Sequence, residues 1–172
     1  MTSTEQIILV DEDDNILGTA EKLLAHEQGL CHRAFSIFII RERMTTEILL
    51  QQRAYDKYHS PGLWTNTCCS HPRPNEDILQ AGQRRLYEEM GIKTTLRAIG
   101  KFHYIAHFEN GLTENEVDHV LIGSLTNETF HPNPKEVQAC RWISLPDLQK
   151  EMAEHPAQFT PWLQPALQKL KP

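Results

Sequence analysis

Two glutamates two residues apart, Glu114 and Glu116, stand at the head of the mostly apolar run VDHVLIG. In a strand, residues i and i+2 point to the same face. Carboxylates so placed repel, and one of them holds its proton more tightly unless a cation lies between them. The pair reads either as a solvated strand end or as a metal or acid–base site. A second constellation lies in TNTCCSHP (65–72), where Cys69 and His71 are two residues apart. Cys69 could be a nucleophile, an acid–base group or a ligand, and His71 could hold a metal. His26 and His32 add two imidazoles whose spacing fits no single helical face, so a loop or strand edge must bring them together. Taken singly, each imidazole reads more simply as a surface or turn residue. Three His with two Glu would suit Mn2+, Fe2+ or Zn2+ through mixed N,O ligation.

The third constellation is Glu89, in the segment EDILQAGQRRLYEEM (76–90). At about 100° per residue, Glu89 lies roughly 60° from Leu86. That places it at the edge of the apolar stripe Leu79, Leu86, Met90, while Glu88 falls on the far side with Arg84. A carboxylate at a core boundary needs a cation, either Arg85 one turn earlier or a bound Mg2+. Gly82 would leave space above that edge.

The elements that must position these groups follow from patterning. QIILV (6–10) reads as a strand and DEDDN (11–15) as a turn. Residues 19–28 read as a short helix or an extended arm. RAFSIFII (33–40) and EILLQQ (47–52) are strands rich in aromatic and branched residues. Residues 54–70 show little periodicity, and a loop that long inside a compact domain is either functional or wrongly assigned as a loop. The segment 76–90 is a helix ended by Gly91. Residues 94–105 and 115–124 have strand character, HPNP (131–134) forbids regular structure, and 137–143 form a last strand. Two C-terminal helices follow, with Thr160 as an N-cap and Pro161 at the first helical position of the second. Trp64 and Trp142 read as core, and Cys31 and Cys140 as small buried hydrophobes. Strands, a central helix, more strands and terminal helices predict an α/β fold with helices on both faces of a mixed sheet.

Composition narrows the class. The 172 residues fit one domain of globular composition, 40% hydrophobic and 23% charged. A net charge of −6, from 17 basic and 23 acidic side chains, argues against a general nucleic-acid binder but allows a local basic site. No apolar run is long enough for a membrane span, and no signal peptide is visible. Four sparse cysteines without a redox pair read as reduced thiols of a cytoplasmic protein.

Residues 70–92, SHPRPNEDILQAGQRRLYEEMGI, resemble the Nudix box, G-x5-E-x7-R-E-U-x-E-E-x-G-U with U apolar. Glu76, Arg84, Leu86, Glu88, Glu89, Gly91 and Ile92 match. Ser70 replaces the opening glycine and Arg85 the first glutamate of REUxEE. In typical Nudix hydrolases that glutamate helps hold metal for attack on a diphosphate. HRAFSIFI (32–39), LLQQR (49–53), PGLWTNTCCSHP (61–72), RRLYEEMGI (84–92), ENEVDHV (114–120) and FTPW (159–162) together resemble the type 1 isopentenyl-diphosphate delta-isomerases, over about residues 6–165.

The resemblance implies a Nudix-like α/β/α sandwich spanning 1–172 as a single domain, with the C-terminal helices 145–171 closing the active site. It implies interconversion of isopentenyl and dimethylallyl diphosphate by a 1,3-proton shift. Cys69 is then the catalytic cysteine, Glu116 the catalytic carboxylate, and Tyr104 the tyrosine beside it. His26, His32, His71, Glu114 and Glu116 form a cage for Zn2+ or Mn2+. Glu89 and the Cys69 backbone carbonyl hold Mg2+ with the substrate diphosphate. Lys22, Arg53, Lys57 and Arg85 clamp that diphosphate, and Trp162 faces the hydrocarbon end. The implied partner is a small isoprenyl diphosphate, with no nucleic acid, membrane span or obligate protein partner. Two other readings remain: a Nudix diphosphate hydrolase working without a glutamate at position 85, and a catalytically inert metal-binding interaction protein.

Overall fold

A computed structural model describes residues 5–125 and 129–170. The central strand β3 (His32–Glu42) is the predicted aromatic and branched run, extended at both ends. It pairs in parallel with β8 (Thr113–Ser124), from His32 opposite Glu116 to Ile40 opposite Ser124. β7 (Arg97–His107) runs antiparallel along the other side of β8. β4 (Thr46–Arg53) joins the far end of β3 through a hairpin and carries β9 (Val137–Ser144) along its length. β1 (Gln6–Val10) and β2 (Ile16–Glu21) form a second hairpin, attached at Leu9 opposite His32. The sheet is therefore mixed, as the patterning predicts.

β3 is buried on both faces, and its alternation sorts two cores. Phe35, Ile37 and Ile39, with Leu49 and Leu121, pack against α2 (Ile78–Met90) through Leu86 and Met90. Phe38, with Ile48, Leu50 and Val120, packs on the opposite side against α3 (Leu145–Glu154) and α4 (Leu163–Gln168) through Leu148, Leu163 and Leu167. Burying a side chain of this size contributes roughly 1.5–3 kcal/mol.

α2 starts two residues later than expected. Asp77 is the N-cap and accepts the backbone N–H groups of Leu79 and Gln80. Gly91 ends the helix in the left-handed conformation, φ 67°, as expected. The space predicted above Gly82 is filled: an added Cβ there would lie 2.8 Å from Leu121 Cδ1. The glycine lets helix and sheet approach closely.

Several expectations are corrected. The 54–70 segment is not all loop: β5 (Trp64–Thr65) pairs with β4, and β6 (Cys68–Ser70) pairs with β3. Such short strands are held by their neighbours and leave no periodicity to read. The ambiguous 19–28 segment is extended through Glu21 and then becomes α1 (Lys22–Gln28). Thr160 is not a side-chain cap. α4 begins at Leu163, and the Thr160 hydroxyl instead donates to Thr65 Oγ1 at 2.8 Å. Cys31 and Cys140 are half-buried rather than buried. Trp64 and Trp142 lie at the margins of the two cores. Residue 171 of the expected C-terminal helices lies outside the described residues.

Candidate active site

Register brings the carboxylates and imidazoles together. Glu114, Glu116 and Asp118 alternate along β8 on the face that also carries Val120. His32 lies opposite Glu116 on β3, and Tyr104 lies opposite it on β7. α1 delivers the buried His26, and the chain leaving β6 delivers His71. One donor atom from each of His26, His32, His71 and Glu116 falls within 4.8 Å of the others. Glu114, the fifth expected ligand, is outside that group. Its Oε1 accepts from His59 Nε2 at 2.8 Å, and its Oε2 is buried without a partner among the described residues.

The ring hydrogens indicate what the group can hold. His26 Nδ1 donates to the Lys22 carbonyl at 2.7 Å, and His32 Nδ1 donates to the Leu30 carbonyl at 2.8 Å. A carbonyl only accepts, so both Nδ1 atoms carry the proton and both Nε2 lone pairs face inward. His32 Nε2 and His71 Nε2 each lie 3.3 Å from Glu116 Oε1. His26 Nε2 and His32 Nε2 are buried with no hydrogen-bond partner among the described residues. Orphaned buried nitrogens around a carboxylate are costly unless a cation takes their lone pairs. This donor set fits a divalent metal.

Burial pushes His26 and His71 below the ordinary imidazole range, with the neighbouring imidazoles adding to it. Burial would depress His32 too, but the adjacent Glu116 carboxylate, which favours the protonated ring, lifts it instead. Burial raises Asp118 well above the usual carboxylate range, and the Glu116 charge adds to this. Tyr104 is raised by burial and then by Glu114 and Glu116, and its hydroxyl has no partner among the described residues.

Cys69 lies opposite Ser36 on β3 and faces the cleft, while Cys68 packs into the α2 core. The thiol donates to Asn66 Oδ1 at 3.0 Å, and Trp162 Nε1 donates towards both that oxygen and Cys69 Sγ at 3.1 Å. Ser36 Oγ lies 3.7 Å from the sulfur and donates to Asp118 Oδ2 at 2.7 Å. Burial, followed by the Asp118 charge, raises the thiol to about 12. Trp162 thus meets the sulfur with its N–H edge, while the Arg53 guanidinium lies 5.4 Å over its ring.

The four expected clamp cations line the same cleft, and each has a partner. Lys22 pairs with Glu5 at 3.2 Å, and Lys57 with Glu136 at 2.5 Å. Arg53 donates to the His59 carbonyl at 3.3 and 3.1 Å. Arg85 reaches Glu89 at 2.5 Å, Glu88 at 2.7 Å and Glu136 at 3.6 Å. Of the two cations weighed for Glu89, Arg85 is present. Gln51 Nε2 donates to the other Glu89 oxygen at 3.1 Å.

Sequence reasoning passed over His59, Glu136, Asn66, Ser36 and Asp118. Asp118 continues the i, i+2 series of Glu114 and Glu116, so its alternation was a usable signal. His59 lies in an aperiodic loop, and nothing local marks it.

Residues 30–163 match the NUDIX domain family. The fold is similar to a Deinococcus radiodurans crystal structure, with a TM-score of 0.75 and 16% identity over 97% of this chain and 100% of that one. It is also similar to a MutT NUDIX hydrolase from Burkholderia pseudomallei, with a TM-score of 0.64 and 22% identity over 82% and 98%. The chain is a Nudix-domain protein.

The sequence relatives are narrower. An isopentenyl-diphosphate Delta-isomerase of Burkholderia multivorans is 50% identical over 158 residues, 92% of this chain and 88% of the relative. One of Photobacterium profundum is 49% identical over 171 residues, 98% and 95%. Within the Nudix class, the chain belongs to the isopentenyl-diphosphate Delta-isomerase family.

Proposed function

We propose that this chain interconverts isopentenyl diphosphate and dimethylallyl diphosphate, with Cys69 and Glu116 as the two proton-handling groups. One observation carries the reading: a single cleft is lined by the Cys69 thiol, the Glu116 carboxylate and the cations Lys22, Arg53, Lys57 and Arg85. An unactivated alkene is a poor base, so protonating its terminal carbon builds a tertiary carbocation-like centre. One group donates at that carbon, and the other removes a proton from the allylic carbon. The raised thiol keeps its proton at neutral pH in the unliganded chain, which suits a donor.

Tyr104, opposite Glu116, supports transfer at the carboxylate. Trp162 walls the hydrocarbon end and excludes water that would trap the cation. The clamp cations bind the diphosphate, contributing binding energy far from the reacting carbons. Zn2+ or Mn2+ would be held by His26, His32, His71, Glu114 and Glu116, and Mg2+ by Glu89 and the Cys69 carbonyl. Bound there, the ions would fix the carboxylate and neutralise phosphate charge. The chain acts as one domain, with the C-terminal helices closing the cleft beside Trp162. No described helix is long and apolar enough to cross a membrane.

The test is incubation with isopentenyl diphosphate, followed by product analysis and a phosphate assay. Dimethylallyl diphosphate without released phosphate or diphosphate is expected. Released phosphate would instead identify a hydrolase, and unchanged substrate an inert binding protein.

A further inference from the structure

His59 meets three parts of the cleft at once. Its side chain is buried, and its Nε2 donates to Glu114 Oε1 at 2.8 Å. Its ring stacks on Phe108 at 4.7 Å and 9°, and meets Trp162 edge-on at 5.7 Å. It also lies 6.4 Å from the His26 ring. Its backbone carbonyl, not its side chain, accepts the two hydrogen bonds from Arg53. A buried, stacked imidazole has little rotational freedom, so the N–H it presents has a fixed direction.

That direction matters because of what Glu114 lacks. Glu114 is buried, one oxygen is occupied by His59, and the other has no partner among the described residues. A carboxylate pinned at one oxygen can offer a cation only the second, from a narrow range of angles. Without the pin, the side chain could rotate and offer neither oxygen to the imidazole group.

We propose that His59 is a positioning residue for the metal cage: it fixes Glu114 so that Oε2 is presented to the cation held by His26, His32, His71 and Glu116. This rests on the cage reading above. Partners one step removed from a metal commonly change its affinity by about 10–100-fold.

The experiment measures Zn2+ affinity of the metal-stripped full chain by competition with a chromophoric chelator. His59→Phe keeps the stacked ring and removes the donor, and it should weaken Zn2+ binding by at least ~10-fold. His59→Gln can return an N–H to the place of Nε2 and should recover most of that loss. His59→Asn is too short to do so and should not. On a Glu114→Gln background, His59→Phe should add little further loss, since the group it positions is already impaired.

Inorganic pyrophosphate binding with Mg2+ should stay within about twofold of the parent in each His59 variant, because Arg53 is held by the backbone. Zn2+ affinity within twofold of the parent in both Phe and Asn variants, or tighter binding, would overturn the proposal. So would additive losses on the Glu114→Gln background, or parallel losses of Zn2+ and pyrophosphate binding. A parent chain that binds no Zn2+ would refute the cage itself, a different failure. If His59→Phe does not fold, the Asn and Gln pair makes the same comparison.

Discussion

Tyr104 and Glu116 are direct cross-strand partners between β7 and β8, and the Tyr104 hydroxyl is buried without a hydrogen bond to any described residue. An unsatisfied buried hydroxyl costs roughly 1–3 kcal/mol. Tyr104→Phe should therefore leave thermal stability unchanged or raise it, while slowing turnover by about 10–100-fold if the hydroxyl assists proton transfer. Thermal melts and kcat on the same preparation check both halves. Equal turnover would remove Tyr104 from the mechanism.

Cys69 and Cys68 point to opposite faces, which makes one a control for the other. Cys69→Ser should slow the reaction by at least ~100-fold, because a serine hydroxyl holds its proton far more tightly. Cys68 is fully buried in the α2 core, so serine there would bring a hydroxyl into apolar packing. Cys68→Ala is the cleaner control and should retain turnover with a modest loss of stability. In deuterium oxide, NMR of the recovered diphosphates should show solvent label at the former vinylic carbon. Product without label in a single turnover would exclude separate acid and base groups.

Arg85 stands among Glu88, Glu89 and Glu136. Arg85→Glu would add a fourth carboxylate there, destabilising the helix end as well as repelling diphosphate. Arg85→Gln adds no negative charge, though it leaves the buried Glu89 without its cation, so melts on the same preparation accompany the kinetics. Loss of a charge-assisted contact worth about 1.5–3 kcal/mol should raise KM by roughly 10–100-fold. Phosphate release should stay at background in both variants. Unchanged KM would mean that Arg85 does not leave its carboxylates for the substrate.

Glu76 fills its Nudix-box position but braces the helix, accepting from Arg84 at 2.8 and 2.9 Å and from the Arg73 backbone N–H at 2.9 Å. The Arg84 hydrogen bonds hold its carboxyl below the ordinary value of 4.5 despite some burial. A depressed carboxyl stabilises the fold above its unfolded pKa and loses that contribution as pH falls through its folded pKa. Glu76→Gln should cost about 1 kcal/mol at pH 7 in this partly exposed pair. The deficit should shrink as pH drops below about 4.5. Melting temperatures of parent and variant at pH 7, 5 and 3.5 measure it, and a constant gap would contradict the assignment.

Much of the architecture was legible where periodicity is strong: β3, β4, β8, β9 and the body of α2 follow their apolar patterns. The same-face placement of Glu114 and Glu116 came from alternation alone. β2, β5 and β6 were illegible because their pairing with distant strands, not local pattern, makes them extended. The histidines could be suspected from type, but only the β3–β8 register and α1 put His26 and His32 beside Glu116. His59 and Glu136 gave no local sign because their roles are set by partners across the cleft. Glu136 pairs with Lys57, 79 positions away.

The parallel ladder between β3 and β8 also orders events in time. It joins groups as remote as Ser36 and Asp118, 82 positions apart. Pairing at such separation carries a large loop-closure cost and slows folding relative to local contacts. His32 and Glu116 become neighbours only when the first rungs of that ladder close. A cation captured by this group would therefore find no complete binding site on a chain whose ladder is still open. If the ladder closes after the folding barrier is crossed, such an ion would leave the folding rate nearly unchanged and slow unfolding, acting as a late latch.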